Sequence, residues 1–177
     1  NILRLAVLKK SDRPLALAFV SLKCPRYKKY TADPKYYQSL KETIDQYQDR
    51  IDFWAVSANP EDKFSDVQQF WSKTAVASVP LLHDADGTLR DAFNSQVTPA
   101  PHLFVFDADG RLRYAGEAHD NWEADDKAKD PFLGSALELV LAGKYQSNGA
   151  VFYNKSVCNC SHPTCKCPKC GCGATCR

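Results

Sequence analysis

The sequence holds no methionine, a single cysteine before residue 158, and no apolar run approaching the length of a bilayer. Each absence removes something. The longest apolar stretches, such as "LALAFV" at 15–20, fall far short of the ~20 consecutive residues a spanning helix needs, so no membrane span is expected. A net charge of +2 with acids and bases interspersed leaves no basic stripe to neutralise a phosphate backbone, and nucleic acid is not an expected partner. Without methionine, Asn1 is expected either to follow a removed leader or to begin a piece of a longer chain. The lack of cysteine between 24 and 158 means that hydrophobic packing, not disulfides, must hold the body together.

What is present divides in two. A chain of 177 residues, 44% hydrophobic and 25% charged, suits one globular domain with an appendage. Strand-like runs occur at 15–20 ("LALAFV"), 51–56 ("IDFWAV"), 102–106 ("HLFVF") and 111–115 ("RLRYA"), and the first three are apolar enough for central strands covered on both faces. Between the first two, Tyr37, Leu40, Ile44 and Tyr47 recur at helical spacing behind Asp33 as cap and Pro34 as opener. "NPEDKFSDVQQFW" repeats that device, with Asn59 expected to cap a second helix and Pro60 to open it. "VPLLHDADGTLRDAFN" reads as an insertion: short strand, turn at Asp86-Gly87, short helix. "HLFVFDADGRLRYAG" predicts a hairpin, and "DPFLGSALELVLAG" a last helix from Asp130-Pro131 to a stop at Gly143. Phe53 and Trp54 are expected in the core. The alternation of strands and helices predicts an α/β fold with a mixed central sheet and helices on both faces. The expected boundaries are an N-terminal segment 1–13, a domain 14–144, a linker 145–157 lying on that domain, and a cysteine-rich tail 158–177.

This order, Cys24-Pro25 after the first core strand, and "TPAPHLFVFDADGRLRYAG" together resemble the thioredoxin-like redoxins of the alkyl hydroperoxide reductase and thiol-specific antioxidant (AhpC/TSA) family. The resemblance implies a thioredoxin-like fold with a redoxin-type insertion before the final hairpin and helix, a thiol oxidoreductase or antioxidant activity in redox homeostasis, and no organic cofactor. It places the second cysteine and following proline of a Cys-x-x-Cys-Pro loop on Cys24 and Pro25, and the nucleophilic first cysteine on Ser21. Arg26 joins the supporting residues, and the proline that packs against the active site falls on Pro101, with Pro99 the second candidate. It implies protein thiols, protein disulfides or peroxides as substrates, and an exported or periplasmic location.

A cysteine between a strand end and a helix start meets the positive end of the helix, and Lys23, Arg26, Lys28 and Lys29 add charge that favours thiolate. The alternative is a buried, inert thiol, in a non-catalytic protein of this fold that binds zinc or copper(I) through its C-terminal cysteines. Serine at 21 cannot attack a disulfide at neutral pH, so dithiol exchange within "SLKC" is excluded. Three routes stay open. Cys24 acts alone; it reduces peroxide through a sulfenic acid, for which Ser21-x-x-Cys24 is similar to the peroxiredoxin Thr/Ser-x-x-Cys but Pro101 stands where those enzymes carry an activating arginine; or a tail cysteine, Cys158 first among them, resolves it.

The tail "CNCSHPTCKCPKCGCGATC" brings Cys158, Cys160, Cys165, Cys167, Cys170, Cys172 and Cys176 together without apolar residues to build a core. Cys-x-x-Cys and Cys-x-Cys spacings suit tetrahedral and polynuclear thiolate sites, so zinc or copper(I) is the expected ligand of a metallothionein-like strip, with His162 a candidate nitrogen donor. A disulfide knot and a disordered tail are the alternatives, and seven is odd, so full pairing inside the tail leaves one thiol free. The "DADG" stretches at 84–87 and 107–110 lack the remaining ligands of a calcium loop and read as turns. The sequence carries no mark of the oligomeric state.

Overall fold

The computed structural model describes residues 12–22, 36–93, 102–116, 118, 132–144 and 152–153. In chain order these form β1 (Leu15–Val20), α1 (Tyr36–Tyr47), β2 (Asp52–Ser57), α2 (Phe64–Trp71), β3 (Leu81–His83), α3 (Thr88–Ala92), β4 (His102–Phe106), β5 (Leu112–Gly116), α4 (Phe132–Leu141) and β6 (Phe152–Tyr153). The strands make one mixed sheet in the order β3-β2-β1-β4-β5-β6. β1 pairs parallel with β2 and antiparallel with β4; β2 with β3, and β5 with β6, are parallel. The expected mixed α/β architecture is the observed one.

Alternation along the strands makes two cores. One face presents Ala16, Val20, Ala55, Leu103, Val105 and Tyr114 to the apolar stripes of α1, α2 and α4. Tyr37, Leu40, Ile44 and Tyr47 supply the α1 stripe, the spacing read from sequence. The other face stacks Leu15, Leu17, Phe19, Val56, Phe104 and Phe106, with Leu89 and Phe93 of the α3 region packed against them. Phe93 meets Phe104 at 4.7 Å and Phe19 at 5.4 Å between ring centroids, the first tilted at 42° and the second edge-on, as aromatic quadrupoles prefer. Phe53 and Trp54 are half-buried, one against each core.

Three local results differ from the sequence reading. α2 begins at Phe64, not at Pro60: residues 59–62 form a separate turn, in which Asn59 Oδ1 accepts the Glu61 amide at 3.1 Å and its carbonyl accepts the Asp62 amide at 3.0 Å. The short strand of the expected insertion is an edge of the main sheet, paired in register with Ala55 to Ser57. Within the segment read as a linker, Phe152 and Tyr153 add β6 beside Tyr114 and Ala115. The expected stop of α4 is observed: Gly143 has φ +62°, its amide bonds to Val140, and the Lys144 amide reaches back to Leu139. The caps expected at Asp33-Pro34 and Asp130-Pro131 lie outside the described residues.

Candidate functional site

Parallel strands gather their C-terminal ends on one side of a sheet, and open α/β sheets bind ligands beyond those ends. Here Val20 of β1 pairs with Ser57 of β2, and β4 begins at His102 opposite Phe19, so three chain segments meet at that end. Ser21 and Leu22 follow β1 directly. Asn59 to Asp62 follow β2.

These loops are tied by a compact hydrogen-bond cluster. Ser21 Oγ donates to Asp62 Oδ2 at 3.0 Å and accepts from Asn59 Nδ2 at 2.9 Å. The Leu22 amide donates to the same Asp62 oxygen at 2.8 Å. Asp62 is buried, 7% exposed, so its carboxylate is held by these donors and not by bulk water. Close by in sequence, Ser57 ends β2 fully buried, and its Oγ has no hydrogen-bond partner among the described residues. Chemically, the cluster fixes the backbone at the turn where the chain leaves β1, two residues ahead of Cys24.

Of the expected site residues, the described structure includes Ser21, directly after β1 at this end of the sheet. Cys24, Pro25, Arg26, Pro101, Cys158 and the other tail cysteines Cys160, Cys165, Cys167, Cys170, Cys172 and Cys176 lie outside the described residues, as does His162. Asn59 and Asp62 were not singled out for the site from sequence. Their signal was only a polar stretch after a core strand, and their contacts with Ser21 span 38 and 41 residues.

Other polar groups serve the scaffold. The Asp84 carboxylate accepts the Leu89 and Arg90 amides, and Asp107 accepts the Arg111 amide and Arg113 Nε, so both "DADG" stretches are turns. Among the described residues no group of three or more His, Cys, Asp or Glu is arranged to hold a metal. Burial alone would raise the Asp107 carboxyl, but the Arg111 amide, the Arg113 hydrogen bond and charge, and the Asp109 amide together hold it below the usual carboxylate range. A cleft of about 420 Å³ lies at the opposite end of β1 and β2, between Gln48, Phe53, Ser78 and Pro80. Arg13 forms part of its wall, bonded to the Asp49 carbonyl at 3.0 Å and to the Asp52 carboxylate. No helix among the described residues is long and apolar enough to cross a membrane.

The AhpC/TSA family model matches residues 3–115. Among solved structures, the chain is similar to an uncharacterized conserved protein from Geobacillus kaustophilus, at 21% identity and a TM-score of 0.61, with 77% of this chain and 71% of that one covered. A hypothetical protein from Sinorhizobium meliloti is 23% identical with a TM-score of 0.55, over 85% of this chain and 80% of that one. A secreted Mycobacterium tuberculosis disulfide oxidoreductase homologous to E. coli DsbE is 20% identical with a TM-score of 0.52, over 75% and 84% of the two chains. At these identities the likeness shows a shared fold. No curated protein matches the sequence.

Proposed function

The chain belongs to the AhpC/TSA family, and we propose that it is a thiol oxidoreductase whose reacting sulfur is Cys24, resolved by a cysteine of its own tail. Ser21 supplies no second thiol, so the partner sulfur must come from elsewhere. The observation that carries the reading is the direction of β6. It runs parallel to β5, which through β4 runs parallel to β1, so β6 points toward the side where β1 ends. β6 is three strand spacings from β1, about 14 Å. The residues leading from Tyr153 to Cys158 and Cys160 reach about 17 to 24 Å when extended. The direction of β6 and this chain length support a tail cysteine as the partner of Cys24.

In this reaction the Cys24 thiolate attacks a substrate disulfide, forming a mixed disulfide and releasing one substrate thiolate. The Cys158 thiolate then attacks the Cys24 sulfur, and the second substrate thiolate leaves. Two electrons pass to the substrate, and a Cys24–Cys158 disulfide remains for an external thiol to reduce. Protein disulfides are the favoured substrates, in line with the disulfide oxidoreductase among the structural relatives. A peroxide is the other substrate class, and the secreted relative supports an exported location.

Position-resolved alkylation tests the reading. Cys24 is expected to titrate below the ordinary thiol value of about 8.5, Cys24→Ser to abolish disulfide turnover, and Cys158→Ser to trap the mixed disulfide. An ordinary titration with unchanged turnover in Cys24→Ser would overturn it.

The seven clustered tail cysteines support a second role, zinc or copper(I) binding, on a scaffold that has no dithiol of its own. Protein purified without added metal should carry zinc or copper by native mass spectrometry, or take it up after reduction. Fully oxidised cysteines that bind none after reduction would rule this out.

A further inference from the structure

Position 21 is where a dithiol redoxin would carry its attacking sulfur, and the cluster around it is built for an oxygen. A hydroxyl has one proton to give and lone pairs to receive. Ser21 gives its proton to Asp62 Oδ2 at 3.0 Å and receives from Asn59 Nδ2 at 2.9 Å. Both partners are themselves held. Asn59 is oriented by the Glu61 amide on its Oδ1, and Asp62 by the Leu22 amide on its Oδ2 and by its own amide on the Asn59 carbonyl.

We propose that Asp62 is the residue that makes this corner a one-thiol centre: its buried carboxylate, set by Asn59, accepts a hydroxyl at position 21 and suppresses a thiolate there. The proposal rests on the reading that Cys24 is the reacting sulfur, and adds what restricts the reaction to it. Sulfur is larger than oxygen and a weaker donor, so it fits poorly between acceptor and donor at 2.9 to 3.0 Å. The charge matters more. A thiolate has no proton to give Asp62, so two negative atoms would face each other beside a buried residue, Asp62 being 7% exposed. Like charges at such range raise a thiol's pKa, and a protonated thiol is not a nucleophile. Restoring cysteine at 21 by a single substitution therefore does not restore a working dithiol. Ser21 is matched to its neighbours, and a second sulfur must be recruited from outside the corner.

The test is made on the full chain with Ser21→Cys alone and combined with Asp62→Asn. Asparagine keeps an oxygen for the Leu22 amide and replaces charge by a donor. Iodoacetamide labelling across pH is read by mass spectrometry on the tryptic peptide ending at Lys23, which separates position 21 from Cys24. The introduced thiol is expected to titrate at least about one unit above the ordinary 8.5, and Asp62→Asn to lower it by at least about one unit, seen as a roughly tenfold faster labelling at pH 7.5. Adding Asn59→Asp to Ser21→Cys should raise it further, which keeps the test decisive if Asp62→Asn fails to fold. A titration at or below 8.5 with Asp62 intact, or no response to either neighbouring change, would overturn the proposal. Because the reading is ionisation at position 21, it is independent of whether Cys24 turns over any substrate.

Discussion

Replacing Arg113 by methionine should cost the domain a large part of its stability, because it breaks a sealed ion pair without emptying the space. Arg113 Nε donates to Asp107 Oδ2 at 2.7 Å, and the two side chains are 7% and 4% exposed. The pair exists because of a bulge. Val105 pairs with Tyr114 and Phe106 with Leu112, so Arg113 is the extra residue on β5, turned to meet the start of the hairpin loop. Methionine replaces most of the stem volume but leaves the Asp107 carboxylate buried without its counter-charge. Breaking a buried pair costs about 3–5 kcal/mol. The Arg111 amide still donates to Asp107 Oδ1 at 2.9 Å, so the low end applies, about 3 kcal/mol, or a fall in Tm of roughly 6–12 °C. Urea unfolding at pH 7 with an unchanged m-value measures it. Adding Asp107→Asn to Arg113→Met removes the stranded charge and should recover more than half of the loss. The pH dependence has a definite sign. Asp107 is held below its unfolded value, so its contribution is complete above about pH 4 and fades as pH falls through the lower native value. Arg113 is one source of that lowering, so wild type should lose stability in acid more steeply than Arg113→Met. A cost below about 1 kcal/mol, the range of an exposed pair, or no recovery in the double variant, would refute the reasoning.

Three further outcomes follow from the scaffold. Tyr47 is raised above its usual range by burial and then by its hydrogen bond to Glu138 at 2.8 Å and that residue's charge, partly offset by Arg50. A raised group contributes fully below its unfolded value of about 10 and loses that contribution as pH rises through the native value. Tyr47→Phe should therefore destabilise by about 1 kcal/mol at pH 7, with a smaller difference from wild type in strongly alkaline urea titrations. Trp71→Phe strands the Val79 carbonyl, which receives Trp71 Nε1 at 2.9 Å in a buried site, and should cost about 2 kcal/mol in chemical unfolding. Gly143→Ala meets no atom within 4 Å, so its cost is conformational, about 1–2 kcal/mol; a loss of 4 kcal/mol by calorimetry would mean that the α4 stop is more than a local cap.

β1 and β4 were legible to the residue because buried central strands have to be apolar at nearly every position, and "LALAFV" and "HLFVF" are. The stripes of α1 and α4 were equally plain, since each needs a helix-period face against the sheet. Asn59-Pro60 misled because the same pair that caps helices also builds turns, and the Asn59 bond to Ser21 has no local signature. β6 left no trace, because two residues of backbone pairing require no side-chain period. In the candidate site, the special standing of Ser21 was visible by comparison with a thiol pattern. Asp62 was not, since a carboxylate used 41 residues away has no local signature.

Among the described residues the two edge strands of the sheet are its shortest, three residues in β3 and two in β6. An edge strand of two or three residues is a short template for an incoming strand from another molecule. For the proposed thiol enzyme, edges that short limit the backbone through which two copies would be held together long enough to crosslink.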